Sequence, residues 1–321
     1  MGYNHLFGPV ASRRLGVSLG VDLVTHKVCS LDCVYCECGE TTDLTLERQP
    51  WVSFDAVRRE LTQYWAENPD PDYITFSGSG EPCLNSELGR VIDYIKDSKP
   101  DIRVAVLTNA TLMADAGVRK DLMRADLVVP SLDGVSAEVF EQINRPCEGL
   151  DSESMIRGME RFREAFKGRL HLEIFILKGV NDTPEEIALF KSAIRRIQPD
   201  LVQLNSLDRP GTCDSVAPAP RVTLEKVRDA LGPEGVEIIA RVPKAKGREP
   251  EATDAKQQEN LEAAVLETIH RRPSTVADLS DMLGAAPEKI LAILNDHLSR
   301  GRIESREQAR GLFYQTRKTE Q

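Results

Sequence analysis

Three cysteines, Cys29, Cys33 and Cys36, lie within one short segment that directly follows a strand-like run. Thiolates are soft ligands that suit iron, and three of them can hold three irons of a cubane iron–sulfur cluster. The fourth iron of such a cluster has no ligand from the protein and is open to an outside molecule, as a catalyst requires. The residue types and their spacing therefore predict a [4Fe–4S] cluster with one open coordination position.

The other cysteines leave several alternatives open. A structural zinc site usually has four ligands, often arranged as two pairs, and Cys38 could be a fourth ligand although no second pair follows it. Disulfides are disfavoured, because the chain has seven cysteines, an odd number, and nothing marks it as secreted. For Cys38, Cys83, Cys147 and Cys213, an auxiliary cluster, a catalytic thiol and isolated thiols of no special reactivity all stay open.

Length and charge restrict the class of protein. The chain has 321 residues, which suits one large domain and a small one. Its formal net charge of −10 argues against a large, uniformly basic surface for nucleic acid, although a local basic patch is compatible with it. No run approaches the roughly 18 apolar residues of a membrane span. We expect a cytoplasmic protein with no membrane partner, because oxygen-sensitive iron and exposed thiolates need a reducing compartment.

Strand-like and helix-like segments alternate over most of the chain. The strand candidates lie at residues 17–23, 73–78, 103–109, 127–133, 170–177 and 201–207. Helical patterns lie between them at residues 53–67, 87–98, 115–125, 137–144, 154–166 and 184–197. Such alternation predicts an α/β fold with a parallel sheet, either an open doubly wound sheet or a partial barrel.

Polar side chains in the last half of four strands favour the barrel. They are Thr75 and Ser77, Thr108 and Asn109, Ser131 and Asp133, and Gln203 and Asn205. Active sites of α/β barrels lie at the C-terminal mouth of the strands, whereas small polar residues can also simply begin loops. Because four strands share the pattern and the cysteine segment follows the first strand, we predict a partial (β/α)6 barrel of TIM type with its site at that mouth.

The C-terminal part has a different organisation. Residues 243–258 are polar, without apolar periodicity, and are predicted to be a linker between a barrel at 1–242 and a module at 259–321. Three helical patterns and two short strands in the module resemble a winged helix-turn-helix. The module carries nine Lys or Arg and ten Asp or Glu, whereas a DNA reader usually has a basic recognition helix. The charge of the module is therefore at least as compatible with docking of RNA or a peptide as with binding of DNA.

The cysteine segment at 27–36, KVCSLDCVYC, and the turn at 77–82, SGSGEP, resemble the signatures of the radical SAM superfamily. In that family, the amino and carboxylate groups of S-adenosylmethionine chelate the open iron. The turn corresponds to a glycine-rich turn whose backbone carbonyls approach the methionine ammonium. Ser79 replaces the first glycine of that turn, and Glu81 would orient the amine or brace the turn.

The resemblance also implies where the cofactor is bound. Aromatic and glycine positions would contact the adenine. Polar residues at the strand ends would bind the ribose and the methionine carboxylate, and the guanidinium of an arginine would also bind that carboxylate. The implied cofactor-binding residues are Tyr35, Ser79, Gly80, Glu81, Thr108, Asn109, Ser131, Asp133, Arg145, Gly179 and Asn205, with Cys29, Cys33 and Cys36 as the iron ligands. No catalytic side chain is assigned.

The order of motifs, from residues 7–16 to residues 205–211, resembles the branch that contains the tRNA wyosine-synthesis radical enzymes. Those enzymes carry extra cysteines for a second cluster, and no cysteine precedes Cys29 here. We therefore do not carry wyosine chemistry over to this chain.

The resemblance implies a radical SAM enzyme. Its reduced cluster would cleave S-adenosylmethionine to methionine and a 5′-deoxyadenosyl radical, which abstracts hydrogen from a substrate that is RNA, a peptide or a small molecule. A one-electron reductant of flavodoxin or ferredoxin type would serve as partner, and the winged module would dock an RNA or peptide substrate. The alternative is an iron–sulfur redox sensor that binds nucleic acid without turnover.

Overall fold

The computed structural model describes residues 3–12, 15–213, 215–240, 256–308 and 310–317, without the side chains of residues 11 and 256–260. Most of residues 3–240 form one α/β unit built on a large sheet. The strands of this unit are β1 (Leu6–Ser12), β2 (Gly16–Val21), β3 (Val28–Cys29), β4 (Asp43–Leu44), β5 (Tyr73–Phe76), β6 (Arg103–Thr108), β7 (Leu127–Pro130), β8 (Arg169–Phe175), β9 (Leu201–Asn205) and β10 (Val236–Ile238).

The large sheet has the strand order β1-β2-β5-β6-β7-β8-β9-β10. Strand β1 pairs with β2 in antiparallel register, and every later neighbour in the sheet is parallel. Phe7 of β1 and Glu237 of β10 belong to opposite edges of the sheet, yet both line one central cavity. The sheet therefore curves into a partial barrel, as the sequence predicts.

Helices cover the outer face of this sheet. They are α1 (Phe54–Glu67), α2 (Leu88–Ser98), α3 (Ala116–Asp121), α4 (Ala137–Asn144), α5 (Ser152–Ala165), α6 (Pro184–Ile197) and α7 (Arg221–Leu231). Outward side chains of the strands, such as Ile74 and Val104, are fully buried in one apolar core with helix residues such as Leu61 and Ile92. Because the helices take up the outer face, the chemistry is left to the strand ends and the barrel interior.

Local sequence signals begin several of these helices. Thr183 caps α6 by accepting a hydrogen bond from the backbone N–H of Glu186, and Pro184 occupies the first turn. Ser53 caps α1 in the same way. Arg145 ends α4 in the left-handed region with φ of 43°, and the chain there turns back toward the cysteine segment.

The C-terminal residues form a second, smaller set of elements. They are α8 (Lys256–Arg271), β11 (Ser274–Thr275), α9 (Val276–Leu283), α10 (Pro287–Ser299), β12 (Ile303–Gln308) and β13 (Gly311–Thr316). The strands form an antiparallel sheet in the order β11-β13-β12, and the helices share an apolar core with it. These elements fit the predicted order of helices and hairpin, and the winged-helix assignment stays a prediction. The predicted linker overlaps α8 at 256–258, and its residues 243–255 lie outside the described residues.

Five elements of the large unit were not expected from the sequence, among them the short parallel pair of β3 and β4. Strand β1 was not expected, because Gly8 and Pro9 interrupt its apolar pattern. Helix α7 and the short strand β10, which adds a further parallel strand beyond the predicted six, were also not expected. Among the described residues, no helix is long and apolar enough to cross a bilayer.

Candidate active site

The segment with the three cysteines runs across the C-terminal ends of the parallel strands. Each of its thiols accepts one hydrogen bond from a nitrogen of a different element. Asn109 Nδ2 lies 3.6 Å from Cys29 Sγ and Asn144 Nδ2 lies 3.3 Å from Cys33 Sγ. Hydrogen bonds to sulfur stabilise thiolate charge, so this arrangement suits three cysteines that are ionised when they bind iron.

The third thiol meets a buried cation. Lys27 Nζ lies 2.9 Å from Cys36 Sγ and 2.6 Å from the carbonyl oxygen of Gly39, and the Lys27 side chain is only 2% exposed. Burial alone would lower the pKa of Lys27, but the neighbouring Cys36 thiolate raises it above its usual value. The ammonium is therefore charged and compensates negative charge on the cysteine segment.

The surroundings of the three thiols shift their pKa values in different directions. Burial raises the pKa of Cys29 to about 12 and raises that of Cys33 well above its usual value. A hydrogen bond from Cys38, together with Lys27, lowers the pKa of Cys36 to about 6. Metal binding at Cys29 and Cys33 must therefore displace their protons, as is usual for thiolate ligands.

These residues fit an iron–sulfur cluster better than a single metal ion. In the described part of the chain, no three His, Cys, Asp or Glu side chains converge closely enough to hold one ion, which a zinc site would need. A cubane spreads its cysteine ligands over separate irons, so the sulfur atoms need not converge on one point. The soft donor set and the nitrogen donors around it match such a cluster.

The turn at 77–82 is packed against the cysteine segment. A Cβ on Gly80 would come within 1.8 Å of the carbonyl oxygen of Val28, so no larger residue fits there without moving the backbone. The backbone N–H of Glu81 donates to that same oxygen at 3.2 Å. Ser79 is tied down as well, because its N–H and its hydroxyl both donate to Asp22 Oδ2, at 3.0 and 2.7 Å. The turn is therefore held rigidly beside the iron ligands.

Glu81 holds this turn in place through three hydrogen bonds. Its carboxylate accepts hydrogen bonds from Thr108 Oγ1 at 2.7 Å, from the backbone N–H of Asn109 at 2.7 Å and from that of Cys83 at 2.9 Å. Burial raises the pKa of Glu81 above its usual value even though these donors act in the opposite direction. Of the two roles that the sequence left open for Glu81, the contacts favour bracing over orienting an amine.

A second network lies on the other side of the cysteine segment. The Tyr35 ring stacks on Phe175 with ring centroids 3.8 Å apart, and its hydroxyl donates to Asp133. Asp133 also accepts from Asn144 Nδ2 at 2.9 Å and from the backbone N–H of Phe175 at 2.9 Å. Asn144 Oδ1 is buried and has no hydrogen-bond partner among the described residues, so this network has an unused acceptor beside Cys33.

The remaining predicted residues are Ser131, Asn205, Arg145 and Gly179. Ser131 forms a bridge with Glu173, and Asn205 Nδ2 lies 3.3 Å from Glu173 Oε1, so these three meet at the ends of neighbouring strands. Arg145 is half-exposed, 3.8 Å from Asp32. Gly179 has φ of 81° in the loop that follows β8.

Sequence reasoning missed three of the contacts around the thiols. Lys27, Asp22 and Asn144 were not singled out as parts of the site. The sequence signal for Lys27 and Asp22 is only that a charged residue lies close to the first strand and the cysteine segment. Their burial and their partners depend on the fold.

The cysteine segment, the turn at 77–82 and the network around Asp133 lie within a match to the family model "Radical SAM superfamily", which covers residues 23–190. The chain belongs to the radical SAM superfamily. It is 38% identical over 208 residues to a UPF0026 protein of Synechocystis, covering 64% of this chain and 76% of that protein. Radical SAM proteins bind a [4Fe–4S] cluster and S-adenosylmethionine, and these are the cofactors of this enzyme. Radical SAM enzymes need a reductant.

Two further similarities concern length and fold. This radical SAM chain is 33% identical over 301 residues to a "GTPase Obg" of Brachyspira hyodysenteriae, covering 93% of this chain but only 43% of that protein. The chain thus spans less than half the length of that relative. The crystal structure of a radical SAM methyltransferase from Sphaerobacter thermophilus superposes with a TM-score of 0.53 at 15% identity, covering 70% of this chain and 65% of that one. This similarity concerns the fold.

Proposed function

We propose that Cys29, Cys33 and Cys36 hold the [4Fe–4S] cluster, and that S-adenosylmethionine binds at its open iron. When bound, the cluster and S-adenosylmethionine supply a one-electron reductive cleavage that yields methionine and a 5′-deoxyadenosyl radical, which takes a hydrogen atom from the substrate. The observation that carries the proposal is that each of the three thiols has its own nitrogen donor, from Asn109, Asn144 and Lys27.

The chain's own residues bind and orient these cofactors. The turn from Ser79 to Glu81 offers backbone groups to the methionine part, because Asp22 and the Glu81 contacts hold it in one position. Tyr35 packs beside the adenine, and its stacking on Phe175 fixes the ring plane.

The strand ends and the following loops complete the cofactor pocket. Residues at the strand ends, together with Arg145 and the Gly179 loop, orient the ribose and the methionine carboxylate. These strand-end residues are Thr108, Asn109, Ser131, Asp133 and Asn205. Because Thr108 and Asp133 are already engaged by Glu81 and Tyr35, they act by positioning their neighbours.

The proposed partners are a flavodoxin- or ferredoxin-type reductant and a substrate presented with help from the C-terminal module. Contacts between that module and the barrel support the second part. Arg271 Nη1 lies 3.4 Å from Asp22 Oδ2, and Arg209 Nη1 lies 3.1 Å from Glu37 Oε2 while facing Asp278 of α9. The module is thus packed against the region of the cysteine segment, where an RNA or peptide would have to approach.

Anaerobic reconstitution tests the proposal. The protein is loaded with iron and sulfide, reduced with dithionite and supplied with S-adenosylmethionine, and 5′-deoxyadenosine is measured by liquid chromatography. We expect 5′-deoxyadenosine from the wild type and none from Cys33→Ala, which also loses iron. Cys147→Ala serves as the matched control and should keep both iron and activity, because the Cys147 thiol donates to the Leu44 carbonyl oxygen, 3.9 Å away, and is not among the proposed iron ligands. A wild type that binds the cluster but forms no 5′-deoxyadenosine contradicts the proposal.

A further inference from the structure

The barrel encloses a cavity of about 530 Å³, lined by side chains from both edges of the sheet and by Arg272, which follows α8. A second cavity of about 470 Å³ lies between β1, the cysteine segment and the helices of the C-terminal module, and Arg272 lines it too. Phe7, Val10, Ser77 and Leu107 are also common to both linings. Arg272 therefore stands where the barrel interior meets the C-terminal module.

The guanidinium of Arg272 differs from those of its neighbours. Arg271 pairs with Asp22, Arg209 with Glu37 and Arg310 with Asp278, the last at 2.7 Å. Arg272, in contrast, forms no ion pair with any residue that the structure describes, and its Nη2 lies 4.0 Å from Met282 Sδ.

An unpaired guanidinium in this position is costly. Burial and the nearby Arg209 cation lower the pKa of Arg272, and the more distant carboxylates of Glu37 and Asp278 offset this only in part. A partly buried charge without a close ion pair is unfavourable unless a counter-ion arrives from outside.

The barrel cavity has the charge that would attract such a counter-ion. Its lining includes Arg169, His171 and Arg272, and Glu237 is the one acidic residue among the lining residues that the structure describes. This balance is opposite to that of the whole chain, whose net charge is −10. A guanidinium presents donors in a planar fork that matches the two oxygens of a carboxylate or a phosphate.

We propose that Arg272 binds an oxyanion, a carboxylate or a phosphate ester, of the substrate in the barrel cavity. The inference rests on the proposed function, because it names the substrate class for the same barrel. It also gives the C-terminal module a part in the pocket itself, since Arg272 belongs to the segment between α8 and β11. The substrate is then a molecule, or a terminal group, small enough for the cavity.

Binding of simple oxyanions tests this assignment without the unknown substrate. Inorganic pyrophosphate and succinate are titrated separately, by anaerobic calorimetry, into the reconstituted protein with S-adenosylmethionine and no reductant. We expect at least one probe to bind at a single site, with pyrophosphate preferred if the natural group is a phosphate and succinate if it is a carboxylate. Arg272→Gln should weaken that binding roughly ten- to a hundredfold, because a charge-assisted hydrogen-bonded contact is lost.

Two comparisons make the outcome specific. Arg300→Gln removes a half-exposed arginine of the same module, which pairs with Asp296, and should leave the binding unchanged. In the wild type, phenylglyoxal should modify Arg272 more slowly when the bound probe is present, as measured by mass spectrometry. That measurement stands even if Arg272→Gln does not fold.

Failure of this inference can be told apart from failure of the proposed function. If neither probe binds, or if Arg272→Gln binds as well as the wild type, the inference is wrong, while 5′-deoxyadenosine formation can still succeed. If the probe binds through Arg272 but no 5′-deoxyadenosine forms, the proposed function is wrong and the oxyanion site stands.

Discussion

Replacing Lys27 with methionine should make the cluster harder to reduce. Lys27 places a buried positive charge 2.9 Å from Cys36 Sγ, and Met keeps most of the side-chain volume without the charge. Because the cluster gains a negative charge on reduction, the ammonium stabilises the reduced form more than the oxidised one. Removing it should shift the midpoint potential to a more negative value.

The size of the shift follows from the geometry. Taking the added electron to lie roughly 6 Å from Nζ, and an effective dielectric constant of about 20, the lost interaction is about 2.8 kcal/mol. For a one-electron couple, about 59 mV corresponds to a tenfold change in equilibrium constant, so the expected shift is about −120 mV.

A redox titration followed by electron paramagnetic resonance of the reduced cluster measures this potential. Lys191→Met is the matched control, because Lys191 is exposed on α6 and should leave the potential unchanged. Lys27→Arg, which keeps the charge, should recover most of the wild-type value if the variant binds iron. A Lys27→Met potential equal to that of the wild type, or a more positive one, would refute the electrostatic reasoning.

Three further substitutions test the surroundings of the thiols. Gly80→Ala should destabilise the protein by about 1–3 kcal/mol in denaturant unfolding, because the new methyl group meets the Val28 carbonyl, and a stability equal to that of the wild type would contradict the close packing. Glu81→Gln should weaken S-adenosylmethionine binding at least roughly fivefold in equilibrium dialysis, because a neutral amide accepts weaker hydrogen bonds from the Asn109 N–H and its neighbours; unchanged affinity would argue against a bracing role. Cys38→Ser should keep the iron content of the wild type after reconstitution, and loss of about a quarter or more of the iron would mean that Cys38 is a ligand.

The sequence predicted the parts of the fold that local patterns encode. Strand-like apolar runs located the parallel strands β2 and β5 to β9, and the spacing of Cys29, Cys33 and Cys36 indicated the iron site. Strand β1 was missed because Gly8 and Pro9 break its alternation, and it is held by pairing with β2 rather than by its own propensity.

The contacts that give the site its electrostatics could not be predicted in the same way. The pairing of Asp22 with Arg271 joins residues 249 positions apart, and only the packing of the C-terminal module against the barrel brings them together. The burial of Lys27 depends on the fold of the whole cysteine segment. Such long-range contacts produce no periodic pattern or characteristic spacing in the sequence. Local sequence patterns therefore do not predict which residues pair with each other.

The bond between Arg271 and Asp22 also has a consequence for how the protein can be handled. Asp22 anchors Ser79, and Arg271 reaches Asp22 from the far end of the chain while its guanidinium lies 4.8 Å above the Phe7 ring. A chain that ends before α8 would lack Arg271. The Phe7 ring would then lose its contact with the guanidinium, and the Asp22 carboxylate would lose its ion pair. A shortened protein is therefore a poor substitute for the full chain in cofactor-binding assays.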